Sequence, residues 1–284
     1  MQTKSGKPLS SIGIGTWNIG GKFNPNNPTA KYKGVEPAYE NEKTEIEAIQ
    51  YSISKGQNHI DCAELYGAFH ADEVIGKAIA GLERTDLYIA DKLWKTSVLK
   101  GMVRPTVEKM LEKLGTDYLD MLYIHAPWAE VNWLEAIPQI DELIDEGTVR
   151  EFGVSNFTIG NMEQAMQLTR HPIAANQMNY NVLYTDEVSH EFHDFLRQNH
   201  IQLVAYQPVK RQEVLTNQTI QRIAQAHDAT PAQVALAWLL AKDALPIPKA
   251  TNTAHIDENV ATVNIELTVK DLTELDEITM EVTE

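Results

Sequence analysis

Short apolar runs alternate along this chain with stretches whose apolar residues recur every three or four positions. The runs predict strands at 12–16, 59–63, 87–93, 119–125, 150–155, 173–178, 201–206 and 244–248. The helical periodicity predicts helices at 42–55, 70–81, 99–114, 131–146, 158–169, 186–199 and 231–242. The last of these is opened by Thr230 as N-cap and Pro231 in the first helical position. Eight strands, each followed by a helix, the final one near 270–279, imply an α/β fold: a (β/α)8 TIM barrel with an extra C-terminal helix. No Pro/Gly/Ser-rich linker divides the pattern, so a single domain over 1–284 is expected. A doubly wound open sheet alternates strand and helix in the same way, and periodicity alone leaves both standing.

Two features favour the barrel. The first candidate for a dinucleotide-binding turn, Gly13-Ile14-Gly15-Thr16-Trp17-Asn18, lacks the third glycine of G-x-G-x-x-G. Polar residues also gather at strand C-terminal ends: Asp61, Lys92, His125, Ser155 with Asn156, Gln177, Tyr206 and Lys249 belong to seven different strands. A barrel brings those ends to one face. Residues 18–40, rich in Asn, Pro and Gly, exceed an ordinary connection and read as either a solvated insertion or a lid over that face.

Composition narrows the class. With 284 residues, 43% hydrophobic and 23% charged, the chain can bury a large core. A formal charge of −16 disfavours nucleic acid and anionic membrane as partners, and makes any local basic site conspicuous. The polar start, the absence of a membrane-length apolar stretch and the single cysteine, Cys62, predict a cytoplasmic protein. The Asn-x-Thr triplets at Asn156 and Asn217 are then chance matches.

Asp61 and Tyr66 stand five residues apart where a strand runs into a loop, while Lys92 and His125 end two further strands. An aspartate or lysine deep in a strand resists burial unless paired, and these two can pair with each other. Taken singly, Tyr66 reads equally as a rim tyrosine, His125 as a structural histidine, and Asp61 with Lys92 as a structural ion pair. Cys62 should face the other side of its strand as a packed small residue. Trp17, Trp94 and Trp128 follow three strands and are candidates for an apolar substrate wall, with core or rim packing as the alternative.

Gly13 through Trp17, Ile60-Asp61 with Tyr66-Gly67, Lys92-Leu93-Trp94, Tyr118 through His125, Gly153 through Phe157, Asn176-Gln177, Ala205-Tyr206 and Ile247-Pro248-Lys249 occur in this order over nearly the whole chain. Together they resemble the aldo-keto reductase superfamily, closest to its bacterial diketogulonate-reductase-like branch. The resemblance implies an NAD(P)H-dependent enzyme that transfers hydride to aldehyde or ketone carbonyls, reversibly, with Tyr66 as general acid. It implies that Asp61 holds Lys92, that His125 donates to the carbonyl oxygen, and that no metal is required. An ammonium about 4 Å from the phenol would favour phenolate by up to ~4 kcal/mol at an effective dielectric of ~20, before burial opposes it.

The resemblance further implies Tyr206 stacked on the nicotinamide and Ser155, Asn156 and Gln177 at its carboxamide. Lys249, Ala250, Thr251 and His255 would surround the adenosine phosphate of NADPH, with Glu258 and Asn259 near the adenine. Small-molecule carbonyl substrates and a monomer or weak oligomer are expected. Three departures bear on the cofactor. Ala250 and His255 stand where the family commonly has Ser and Arg, and Gln207 where it has a small hydroxyl residue. An imidazole lacks arginine's bidentate fork and charges with pH, so NADH use stays open beside NADPH. Lys210 and Arg211 read either as pyrophosphate ligands or as a solvated pair. A cofactor-binding redox sensor with little turnover is the alternative function. A metal-dependent hydrolase built on His59 and Asp61 would need further ligands on other strand ends.

Overall fold

The computed structural model describes residues 8–23, 35–209 and 211–282. Strand β1 (Ile14–Gly15) is followed by an antiparallel pair, β2 (Gly21–Phe23) and β3 (Val35–Pro37). Then come β4 (His59–Asp61), β5 (Tyr88–Leu93), β6 (Leu119–Ile124), β7 (Val149–Ser155), β8 (Ile173–Asn179), β9 (Gln202–Tyr206) and β10 (Leu245–Pro246). Apart from β2 and β3, these form one eight-stranded parallel sheet in chain order. The helices are α1 (Glu42–Ser54), α2 (His70–Ile79), α3 (Val103–Leu114), α4 (Ala136–Asp145), α5 (Ile159–Leu168) and α6 (His190–Gln198). They continue with α7 (Arg211–Thr216), α8 (Gln218–Ala226), α9 (Pro231–Ala241), α10 (Thr253–Ala261) and α11 (Val269–Val282), the expected terminal helix.

The first and last strands meet. Gly13 and Gly15 donate their N–H groups to the carbonyls of Pro246 and Pro248 at 2.9 and 3.0 Å, closing a (β/α)8 barrel and excluding the open sheet. The seam strands are shorter than the apolar runs because Pro246 and Pro248 have no N–H to return, so no two-way ladder forms. A Cβ at Gly15 would lie 2.3 Å from the Ile247 carbonyl oxygen. The G-x-G of the sequence therefore permits closure.

Two apolar clusters hold the barrel. Tyr88, Ala90, Met121, Tyr123, Val204, Leu245 and Ile247 fill its interior. A larger cluster, including Ile60, Ile89, Leu122, Val154, Ile75 and Val107, lies between the strands and the helical layer. Helix α9 is buried nearly all round, and its start is fixed as expected: Gln233 N–H donates to Thr230 Oγ1, and Thr230 N–H to Gln233 Oε1.

Helices α7, α8 and α10 occur where no helix was expected. Helix α8 buries Ile220, Ile223 and Ala224 within a polar run, two turns at most of apolar repeat. Its N-cap is Asn217, whose Oδ1 accepts the Ile220 N–H. No helix among the described residues is long and apolar enough to cross a membrane.

Candidate active site

The C-terminal ends of β4 and β5 bring Asp61 and Lys92 into the barrel mouth, both essentially without solvent contact. Lys92 Nζ donates to Asp61 Oδ2 at 2.6 Å and to the Cys62 carbonyl at 2.6 Å, and reaches Tyr66 Oη at 3.5 Å. Gln177, from β8 across the barrel, donates Nε2–H to the other Asp61 oxygen at 2.6 Å. Asp61 is thus gripped from both sides. The resemblance puts this Gln177 amide at the cofactor carboxamide; in the structure one of its two N–H donors bonds Asp61.

Tyr66 sits on a tight turn after β4. Gly67, Ala68 and Phe69 have φ of 57°, 54° and 75°, a left-handed path costing roughly 1–2 kcal/mol for each side-chain-bearing residue. The turn is held from outside, since a Cβ on Gly67 would lie 2.2 Å from the Gly20 carbonyl oxygen. His70 links that same Gly20 oxygen (Nδ1, 2.7 Å) to Glu42 (Nε2, 2.8 Å), and Gly20 N–H donates to Glu45 at 3.0 Å. The base of the 18–40 stretch is therefore bonded to the Tyr66 turn. Residues 24–34 of the lid reading lie outside the described residues.

Burial, and after it the negative charge of Asp61, hold the Tyr66 phenol well above its ordinary pKa. This is opposite to the lowering expected from Lys92. The ammonium is already neutralised by Asp61 at 2.6 Å, so little of its field is left for a hydroxyl at 3.5 Å. His125, half-buried at the end of β6, is pushed down to about 3 by burial and then by Lys92, so its ring is neutral. Its ring centroid lies 6.2 Å from that of Tyr66 and 5.4 Å from that of Trp94. Trp94 packs edge-on to Trp128 at 5.1 Å, and Trp17, 41% exposed, packs edge-on to Tyr66 at 5.1 Å. Trp17 thus flanks Tyr66 and Trp94 flanks His125, with Trp128 packed against Trp94.

A second linked group lies beside them. Tyr206 Oη donates to Asn156 Oδ1 at 2.9 Å, and Asn156 Nδ2 donates to the His125 carbonyl and to Ser155 Oγ, each at 3.1 Å. Ser155 Oγ in turn donates to the Gln177 carbonyl at 2.9 Å. Asn156 adopts φ of 60°, a conformation asparagine tolerates better than most residues. Beyond β10, Lys249 is exposed, Ala250 and Thr251 are half-buried, and Asn252 caps α10. His255 is exposed in the first turn of α10, with Glu258 half-buried and Asn259 buried one turn on. Lys210 and the side chain of Arg211 lie outside the described residues.

Sequence reasoning missed Glu64. Fully buried between Asp61 and Tyr66, it accepts the Trp94 N–H at 2.8 Å and the Ser97 hydroxyl at 2.9 Å, tying the Trp94 loop to the Tyr66 turn. A carboxylate enclosed by Ala63 and Leu65 was the available signal. Cys62 is a free, fully buried thiol in the outer cluster, and burial raises its pKa.

The sequence and the fold have counterparts among known proteins. The model of the aldo/keto reductase family matches residues 11–280. The methylglyoxal reductase YeaE of Escherichia coli is 30% identical over 276 residues, covering 94% of this chain and 90% of its own. A thermostable aldo-keto reductase, Tm1743, solved with the inhibitor epalrestat, is 34% identical with a TM-score of 0.89 over 98% of each chain. An aldo/keto reductase of Klebsiella pneumoniae, solved with NADP and acetate, is 28% identical with a TM-score of 0.85 over 98% of this chain and 94% of its own. The chain belongs to the aldo/keto reductase family, and its bacterial relatives place it in the expected branch. It is a nicotinamide-dependent oxidoreductase acting on carbonyl groups.

Proposed function

We propose that this chain, one barrel domain, uses NADPH to reduce small aldehydes and ketones, with Tyr66 as general acid. The observation that carries the reading is the buried line Asp61–Lys92–Tyr66, with spacings of 2.6 and 3.5 Å, at the C-terminal mouth of the barrel. The donor set suits the cofactor. Exposed Lys249 and the first-turn N–H groups of α10 offer positive charge to a phosphate in an acidic protein, and half-buried Tyr206 offers a ring face to a nicotinamide. The Klebsiella structure solved with NADP supports the same assignment. When bound, the cofactor supplies a hydride to the carbonyl carbon.

The residues of the chain do the rest. Tyr66, kept as a phenol by burial, gives its hydroxyl proton to the carbonyl oxygen. The phenolate left behind gains Lys92 Nζ as donor, and Asp61 keeps that ammonium in place against Gln177. Neutral His125 donates one ring N–H to the same carbonyl oxygen and fixes its position. Trp17, Trp94 and Trp128 keep water from the reacting atoms. The reverse sequence oxidises the alcohol. YeaE's name supports small α-oxoaldehydes as the first substrates to test. The reading extends to a cytoplasmic monomer or weak oligomer, with His255 permitting some NADH use.

Tyr66→Phe tests the assignment. Removing the acid should lower turnover by roughly 10²–10⁴-fold while NADPH still quenches tryptophan fluorescence. Turnover like that of the wild type would remove Tyr66 from its role.

A further inference from the structure

Behind Lys92, on the outer face of the sheet, lies a carboxyl pair that the reaction does not use. Alternation along β5 turns Lys92 into the barrel and Asp91 outward. There Asp91 meets Asp72 from the first turn of α2, and both side chains are fully buried. A carboxylate oxygen of each, with Cys62 Sγ, lies within 4.8 Å of the others. Asp91 Oδ1 accepts the backbone N–H of Lys92 at 2.7 Å. Among the described residues no N–H or hydroxyl makes a well-formed hydrogen bond to Asp91 Oδ2 or to either oxygen of Asp72, which has only its own N–H and the Cys62 thiol in weaker approach.

Two ionised carboxylates enclosed at this range would repel strongly, and each would hold unsatisfied buried oxygens. One proton removes the repulsion and pairs two of these three oxygens, because a protonated carboxyl becomes a donor to its neighbour. We propose that Asp72 and Asp91 share one proton at neutral pH, and that this O–H···O bond makes them positioning residues for Lys92. It fastens α2 to β5, while Asp91 Oδ1 fixes the Lys92 backbone. The inference rests on the role of Lys92 proposed above.

The electrostatics agree with the geometry. Burial, and then the partner carboxylate, hold Asp91 well above the usual carboxylate range, while burial raises Asp72 to about 6. The groups facing the pair are Cys62 and Glu64 from the connection between β4 and α2, and Lys92 on β5. Acids raised by folding stabilise the fold below their ordinary pKa. That contribution is lost as pH rises from about 4 through about 6 and beyond.

Infrared difference spectra of the wild type against Asp91→Asn at pH 7 test the shared proton. The wild type should show a protonated-carboxyl band that the variant lacks. The Asn amide can donate to Asp72 permanently and its oxygen can still accept the Lys92 N–H. Asp91→Asn should therefore keep kcat within about twofold, whereas Asp91→Leu should lose roughly tenfold or more in kcat with KM for NADPH little changed. Relative to the wild type, Asp91→Asn should gain in urea midpoint as pH rises from 4 to 7, because the variant no longer loses the pair's contribution over that window. The proposal is overturned by a wild type without the band, by Asn performing no better than Leu, or by one equivalent of divalent metal copurifying with the protein. Should Tyr66→Phe retain full turnover, the functional reading would fall while the infrared band stood.

Discussion

Replacing Lys92 with Met removes an ammonium that lies 2.6 Å from Asp61 in a site closed to solvent. Direct attraction at that distance is about 6 kcal/mol at an effective dielectric of ~20. Desolvating the two ions offsets much of it, so the pair's net contribution is far smaller. Breaking it from one side is another matter, because Asp61 is left charged and buried with only the Gln177 amide contact described above. Loss of one partner from a buried pair costs about 3–5 kcal/mol. For a chain of this length that is a fall in melting temperature of roughly 6–20 °C.

The double-mutant cycle with Asp61→Asn isolates the pairing. The double variant no longer holds an uncompensated charge, so it should be more stable than the two single losses predict, by about 2–3 kcal/mol. Urea unfolding of the cofactor-free protein, followed by circular dichroism at pH 7, measures all four corners without depending on turnover. Additivity to within about 0.5 kcal/mol would refute the reasoning, since it would mean that Asp61 and Lys92 do not depend on each other.

Three other outcomes follow from the same coordinates. His59, buried with both ring nitrogens unpartnered, is pushed down to about 4 by burial, so the stability it allows is present above pH 6.5 and lost as pH falls toward 4. His59→Leu should therefore gain about 3 kcal/mol relative to the wild type on going from pH 7 to pH 4, and equal acid unfolding curves would contradict this. Gly15→Ala places a methyl 2.3 Å from the Ile247 carbonyl oxygen and should destabilise the barrel seam by at least about 1–3 kcal/mol, read by calorimetry; an unchanged melting temperature would show that the seam yields freely. His255→Arg supplies a bidentate donor in the first turn of α10 and should shift selectivity toward NADPH over NADH by roughly tenfold in Kd, a charge-assisted hydrogen bond's worth. No shift would place His255 away from the phosphate.

Much of this was legible along the chain. Asp61, Lys92 and His125 stand out because a charged or titratable side chain at the end of an apolar strand needs a partner, and the strand-helix alternation says that such ends converge. The capping residues of α9 were equally plain, being local chemistry between positions three apart. Helix α8 escaped because two turns of apolar repeat inside a polar run do not rise above the pattern of a loop.

What folding alone decided are quantities set by atoms far apart in sequence. Barrel closure depends on Gly13 and Gly15 meeting Pro246 and Pro248. The direction of the Tyr66 shift depends first on how completely packing buries the phenol and then on the nearby charge of Asp61. Asp91 and Asp72 are ordinary acids in the sequence and become fully buried neighbours when β5 and α2 enclose them. Residue types and their periodicity determine which side chains carry chemistry. Distance and burial determine which protonation state they carry it in, because Coulomb energy and desolvation vary steeply over the last few ångströms that tertiary packing sets.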